Sequence, residues 1–230
     1  MPSRQTAAAL GLILHAAAAG VMAYGFLSIK SLPIDDWISS QKGGHYQYLT
    51  IQGLAAAWLT MIVSILCDIL SPNTVLRRIK RALLMIALPL TVVISIVYWS
   101  LLLLFPNLIL QKEILENEPS SAPAAPNLVR IPLQVDLSLH AAPFISMVAD
   151  FALFEKEYTQ RQVRYTAPFL ILVFGIWYAS CVEYCAIFNG AFPYPFLTEN
   201  PLEIRIGIYS TVALLAWGCF RAINSLHPQN

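Results

Sequence analysis

The sequence predicts an all-α integral membrane protein, built as a bundle of six transmembrane helices. Of its 230 residues, 57% are hydrophobic and only 12% are charged, whereas a typical soluble domain is about a quarter charged. The apolar residues fall in six long blocks, and crossing the hydrocarbon core takes about 20 such residues. The composition excludes a soluble enzyme or a disordered chain, and the net charge of +1 gives no sign of nucleic-acid binding.

The blocks must be helices, because a lone strand cannot satisfy its backbone hydrogen bonds in lipid. In chain order the predicted spans are Thr6–Ile29, Tyr48–Leu70, Ala82–Phe105, Leu137–Phe154, Thr166–Phe188 and Ile206–Leu226. The first resembles a signal peptide but is longer than a signal core, so we expect it to be retained. The first and third spans are uncharged. The second carries Asp68, the shorter fourth carries His140 and Asp150, the fifth carries Glu183, and the sixth ends near Arg221.

Lysine and arginine predict the orientation of the bundle, since they concentrate in short cytosolic loops. With six spans, the termini and the second and fourth connections share one side, which holds nine of the 14 basic residues. The other side holds five. We therefore expect one domain, residues 1–230, with both termini cytosolic. The Pro-rich segment Pro106–Asp136 then lies on the non-cytosolic side.

Ionisable residues are costly inside a membrane, about 2.5–3.5 kcal/mol at mid-helix, so each is a candidate for function. The direction of each span gives their depth, at about 1.5 Å per residue. One layer near the non-cytosolic surface collects Tyr48, Thr50, Gln52, His140, Glu183 and Asn189. A hydroxyl, an imidazole and a carboxylate are the parts of a nucleophile, its base and an orienting acid. The alternative interpretation is structural: each of these residues only hydrogen-bonds a neighbouring helix, and none takes part in a reaction.

The other intramembrane ionisable residues have simpler interpretations. We expect Asp68 and Asp150 to pair with arginines of the adjacent cytosolic connections. Those arginines are Arg77 or Arg78 for Asp68 and Arg161 or Arg164 for Asp150. His15, near mid-depth, has no evident partner. The four scattered histidines and the lack of a phosphate loop or dinucleotide fingerprint imply neither a metal nor an organic cofactor.

Three windows resemble the androgen-induced membrane protein family, which includes the androgen-dependent TFPI-regulating proteins. They are Gly43–Thr50 with the helix that closes on Asp68, then Leu139–Phe144, then Gly190–Leu197. They occur in the family's order, at comparable spacing, on six spans. The resemblance implies a multi-pass hydrolase of fatty acid esters of hydroxy fatty acids, in the endoplasmic reticulum or plasma membrane. Carried over by motif, its threonine nucleophile is Thr50 and its histidine is His140, the pair that depth also selects.

The chain departs from the family in its long Pro106–Asp136 connection and in lacking a histidine that some members carry before Gly190. We expect Glu183 to orient the imidazole, and Asn189, Gln52 or Tyr48 to stabilise the oxyanion. The expected partners are a lipid ester and membrane lipids. The alternative is a non-enzymatic lipid-binding, transport or scaffold protein. It predicts a Thr50–His140 distance above about 6 Å, since a base must lie within about 3 Å, or one water, of its proton.

Overall fold

The computed structural model describes residues 4–70, 74–110 and 129–227. Six of its helices are long and apolar enough to cross a membrane, which confirms the predicted all-α bundle, and no strand occurs in those ranges. Their bounds are α1 Arg4–Ser28, α2 Leu49–Ile69, α3 Thr74–Leu104, α4 Leu133–Phe154, α5 Ala167–Asn189 and α6 Leu202–Ser225. One π-helical turn, Gln162–Thr166, precedes α5.

Three helices begin four or more residues before their predicted spans. α6 begins at Leu202 instead of Ile206. α3 begins at Thr74 instead of Ala82, because arginine and lysine are good helix formers even where they are too polar for hydrocarbon. α4 begins at Leu133, so Asp136, which we expected to end the Pro-rich connection, is helical. Residues 111–128 of that connection lie outside the described ranges.

The main core lies between α1, α2, α3 and α4. Its fully buried side chains include Met22, Met61, Leu84, Leu88 and Met147. Glycine permits two close contacts between these helices. A Cβ added at Gly25 would lie 2.8 Å from Ser138 Cβ of α4, and one added at Gly53 would overlap the Ile94 side chain of α3. These contacts fix α4 and α3 against α1 and α2.

α5 and α6 pack on the outside of this core, against α3 and each other. Val93 of α3, Ile171 of α5 and Ala216 of α6 form a second, small buried cluster. The outer faces of α5 and α6 expose large apolar side chains such as Leu172 and Leu214. Such faces suit lipid, whose chains are as apolar as leucine.

A network of charged and titratable side chains lies at the end of the bundle opposite Thr50, and here our predictions were wrong. His15, for which no partner was evident, places Nδ1 2.6 Å from Asp68 Oδ2 and Nε2 2.9 Å from Asp150 Oδ1. Lys80 donates to Asp150 Oδ1 at 2.8 Å. Within the described ranges, neither aspartate forms its predicted arginine pair. The predicted arginines are exposed, whereas the helical period of α3 turns Lys80 inward.

Short elements cover the end of the bundle where α2 begins. This cap consists of the turns Ile29–Ser31, Asp35–Ser40, Gly44–Gln47, Pro106–Ile109 and Pro195–Thr198. Gly43 has a φ of 85°, a left-handed conformation that glycine adopts without steric cost. Two contacts hold the cap in place. His45 Nε2 lies 2.6 Å from Asp35 Oδ1, and the Lys42 backbone N–H donates to Asn189 Oδ1 at 2.7 Å.

Candidate active site

The structure brings Thr50 and His140 together beneath the cap. Thr50 Oγ1, in the first turn of α2, lies 3.3 Å from His140 Nε2 of α4. The two residues are 9% and 5% exposed. A base accepts a proton over about this distance, and contacts of this kind often tighten only when substrate binds. The separation that the non-enzymatic alternative predicts is not observed.

A break in α4 places His140 at a helix end. Ala141, with φ −106° and ψ −45°, separates the segments Leu133–His140 and Ala142–Phe154. Pro143 causes the break, because its ring clashes with the carbonyl four residues earlier and it has no N–H to donate. A helix C-terminus favours positive charge. An imidazole that takes up a proton at His140 is therefore stabilised by the segment that carries it.

Asp136 completes a chain of three side chains. Its Oδ1 lies 2.7 Å from His140 Nδ1, one helical turn away on the same face. The carboxylate accepts the hydrogen on Nδ1, which leaves the Nε2 lone pair free to accept the Thr50 hydroxyl proton. Asp136 is 5% exposed, so little water competes for these bonds. A hydroxyl, an imidazole and a buried carboxylate in this order have the geometry of an activated nucleophile.

Tyr98 of α3 holds the imidazole from the side. Its ring stacks on His140 with 3.4 Å between centroids and parallel planes. Its hydroxyl group faces the Asp136 carboxylate. Tyr98 therefore fixes the ring plane of His140 and also contacts the residue that sets its tautomer.

The beginning of α2 supplies backbone N–H groups beside Thr50. The first N–H groups of a helix have no intrahelical acceptor, and the N-cap residue, Tyr48, makes no side-chain cap. Tyr194, from the connection between α5 and α6, directs its hydroxyl at the Thr50 side chain and at the backbone of Leu49 and Thr50. Burial raises the pKa of Tyr194, and these hydrogen bonds oppose that rise. Tyr194 therefore places a hydroxyl group beside Thr50, and it lines both cavities with that residue.

Glu183 does not orient His140, contrary to our prediction. Arg205 of α6 binds both of its carboxylate oxygens, at 2.7 and 2.8 Å, and the Tyr209 hydroxyl donates to it at 3.0 Å. Glu183 shares the depth of the site, but this pairing turns it toward α6. Its role is to join α5 to α6.

The three side chains predicted to stabilise an oxyanion also have other positions. Asn189 bonds the Lys42 backbone and thus holds the cap. Gln52 donates to the Tyr46 carbonyl at 2.9 Å. Tyr48 lies beside Thr50 and packs edge-on against Tyr194 with 5.5 Å between ring centroids. Only Tyr48 of these three lines a cavity together with Thr50.

Two largely apolar cavities meet at Thr50. The cap cavity lies under the cap and is lined by residues that include Ile34, Ile38, His45, Tyr48, Arg130 and His140. The lateral cavity lies between α3, α5 and α6 and is lined by residues that include Leu90, Ile94, Phe174, Gly175, Val212 and Ala213. Their empty space is about 820 and 910 Å³, counting the parts open to the surroundings. Their mostly apolar linings suit lipid-like ligands.

Three contributors to the site were missed at the sequence level. Asp136 could have been found, because it precedes His140 by four residues, the spacing of a helical ion pair. Tyr194 lies within the Gly190–Leu197 window that resembles the family, but nothing in that window points it at α2. Tyr98 gives no sequence signal, since only the packing of α3 against α4 brings it to His140.

Comparisons with known proteins agree with this architecture. The family model described as FAR-17a/AIG1-like protein matches residues 10–228. A UPF0641 membrane protein of Schizosaccharomyces pombe is 28% identical over 94% of this chain and 89% of its own length. A second, of Saccharomyces cerevisiae, is 25% identical over 95% of this chain and 90% of its own. No solved structure gives a significant match. With six spans and a family match over nearly its whole length, this multi-pass membrane protein belongs to the FAR-17a/AIG1-like family.

Proposed function

We propose that this protein is an intramembrane hydrolase of lipid esters, such as fatty acid esters of hydroxy fatty acids, in the endoplasmic reticulum or plasma membrane. Thr50 is the nucleophile and His140 the general base in this proposal. The observation that carries it is the chain from Thr50 through His140 to Asp136, at 3.3 and 2.7 Å. This chain opens on two largely apolar cavities whose linings suit lipid chains.

The first half of the proposed reaction acylates the enzyme. Thr50 Oγ1 attacks the ester carbonyl carbon as its proton passes to His140 Nε2. The Asp136 carboxylate stabilises the imidazolium that forms. The C–O bond to the alcohol then breaks, and His140 returns the proton to the departing alkoxide. The acyl group stays on Thr50 as an ester.

The second half releases the acid. A water molecule takes the place of the alcohol and gives a proton to His140 while its oxygen attacks the acyl carbon. The bond to Thr50 breaks, and His140 returns the proton to Thr50 Oγ1. A carboxylic acid leaves, and the enzyme regains its starting state.

Both tetrahedral intermediates carry a negative oxygen that needs hydrogen-bond donors. In this proposal the Tyr194 O–H is the principal donor. Its hydroxyl group lies beside the Thr50 side chain and the backbone that begins α2. The positive end of the α2 dipole lies at the same place and favours a negative oxygen there.

Capture of the nucleophile tests the proposal. The purified protein in detergent is treated with a fluorophosphonate probe, the adduct is located by mass spectrometry, and turnover of a fatty acid ester of a hydroxy fatty acid is measured beside it. We expect the adduct on Thr50, retained in Thr50→Ser and lost, together with turnover, in Thr50→Val and His140→Ala.

Thr60→Val is the matched control. Thr60 lies on the same helix, but its hydroxyl donates to the Ala56 carbonyl at 2.7 Å, so we expect this variant to keep both adduct and turnover. If folded Thr50→Val hydrolyses the ester at the wild-type rate, the proposal is wrong.

A further inference from the structure

The two cavities make the candidate active site asymmetric. They share Thr50, Tyr98, Ile109 and Tyr194, so both reach the nucleophile. His140, however, lines the cap cavity and does not line the lateral cavity. The base therefore faces only one of the two spaces that an ester bound at Thr50 would occupy.

The chemistry of ester cleavage indicates which part of the ester each cavity would hold. The group that leaves is the alcohol, and the acid that protonates its oxygen must contact that oxygen. The acyl group remains bonded to Thr50 throughout the intermediate. An alcohol that leaves past His140 lies in the cap cavity, so the acyl chain lies on the other side of Thr50.

We propose that the lateral cavity is the acyl-chain site and that the cap cavity holds the leaving alcohol. This inference rests on the proposed function and adds to it the part of the substrate that each cavity binds. The linings agree with it. The lining of the cap cavity includes His45 and Arg130, whereas none of the described residues that line the lateral cavity is charged.

The lateral cavity also has the shape of a chain site. On α3 it runs from Tyr98 to Leu90, a distance of about 12 Å at 1.5 Å per residue. This is most of the thickness of one leaflet, half of a hydrocarbon core about 30 Å thick. An acyl chain bonded to Thr50 would lie along the helices, as lipid chains do.

Three small residues line this cavity, namely Gly175, Ala213 and the buried Ala216, and the first two leave room for a larger side chain. Gly175 of α5 has no atom within 4 Å of a Cβ added to it, and Ala213 of α6 is half-buried. Leucine at either position would take up space that the acyl chain is proposed to fill. Gly218→Leu is the matched control, since Gly218 is also in open space on α6 but lines neither cavity.

Two series of esters test the assignment. One has a fixed alcohol with short, medium and long acyl chains, and the other has a fixed acyl chain with alcohols of increasing length. We expect Ala213→Leu and Gly175→Leu to lower the long-to-short ratio of kcat/KM about tenfold or more in the acyl series. The alcohol series stays unchanged. Ile34→Phe, in the cap cavity, should lower the long-to-short ratio in the alcohol series and leave the acyl series unchanged. Gly218→Leu should alter neither ratio.

The outcomes separate this inference from the proposed function. If the wild-type protein hydrolyses no ester and forms no Thr50 adduct, the proposed function is wrong, and this inference fails with it. If the wild type is active but Ala213→Leu and Gly175→Leu leave the acyl series unchanged, or alter the alcohol series instead, only the assignment of the cavities is wrong.

Discussion

The variant Asp136→Asn tests whether the negative charge of this residue, and not only its shape, supports the reaction. Asparagine has nearly the same size, and its carbonyl can still accept the His140 Nδ1 hydrogen, but it carries no charge. The carboxylate lies 2.7 Å from Nδ1 and is 5% exposed. The imidazolium that forms as Thr50 attacks would therefore lose a close and poorly screened countercharge.

The magnitude follows from Coulomb's law. Two unit charges about 4 Å apart, near the charge centres of a carboxylate and an imidazolium, interact by about 4 kcal/mol at an effective dielectric of 20. If that stabilisation is present only in the transition state, its loss lowers kcat about 10³-fold. Because the contact is made through His140 and not with substrate, we expect KM to change little.

The assay is the steady-state kcat and KM of ester turnover by folded protein, with Asp35→Asn as matched control. Asp35 makes the same kind of contact with His45, at 2.6 Å, but belongs to the cap. We therefore expect kcat to fall in Asp136→Asn and to stay near the wild-type value in Asp35→Asn. A kcat within tenfold of wild type in folded Asp136→Asn would refute the role given to Asp136.

Three further predictions concern other contacts. Tyr194→Phe removes one oxyanion donor, so steady-state kinetics should give a kcat about 10²-fold lower and a nearly unchanged KM. An equal fall in kcat for the control variant Tyr209→Phe would contradict this role. His15→Ala leaves the buried Asp150 carboxylate and the partly buried Asp68 carboxylate without their imidazole, and thermal unfolding should report a loss of about 3 kcal/mol with the Thr50 adduct retained. A hydrogen bond from His45 lowers the pKa of Asp35. The stabilisation that this contact gives the folded protein is therefore complete above the ordinary aspartate pKa of about 3.9, and it is lost as the pH falls through the lowered pKa. The difference in unfolding temperature between wild type and Asp35→Asn should accordingly vanish in acid.

Hydropathy predicted much of the fold, because a bilayer requires long apolar helices. The orientation inferred from loop charge stays a prediction. The predicted bounds were least accurate where a helix continues past the hydrocarbon core. At Thr74 basic side chains still favour helix, and at Leu133 the helix begins within a segment whose composition suggested a loop. Apolar length therefore located the membrane-spanning parts better than the helix ends.

The sequence predicted how deep the residues of the candidate site lie in the membrane. It did not predict in which direction each side chain points around its helix. Position along a helix gives the height of a residue in the membrane, and this placed Thr50, His140 and Glu183 in one layer. It does not say which neighbouring helix a side chain faces. Glu183 faces Arg205 of α6, while Asp136 faces His140. Height alone therefore favoured the wrong carboxylate.

The two buried histidines show why contacts, and not residue type, distinguish a base from a structural residue. Both nitrogens of His15 face carboxylates, so a proton on each nitrogen satisfies both contacts and leaves no lone pair for a reaction. His140 has a carboxylate at one nitrogen and a hydroxyl at the other. The first contact fixes the tautomer and the second presents a proton to remove. The network at His15 lies in the packed end of the bundle, whereas His140 lines a cavity that an ester can enter. A threonine beside an imidazole of the second kind has both a base and room for a substrate, which is why we assign the chemistry to Thr50.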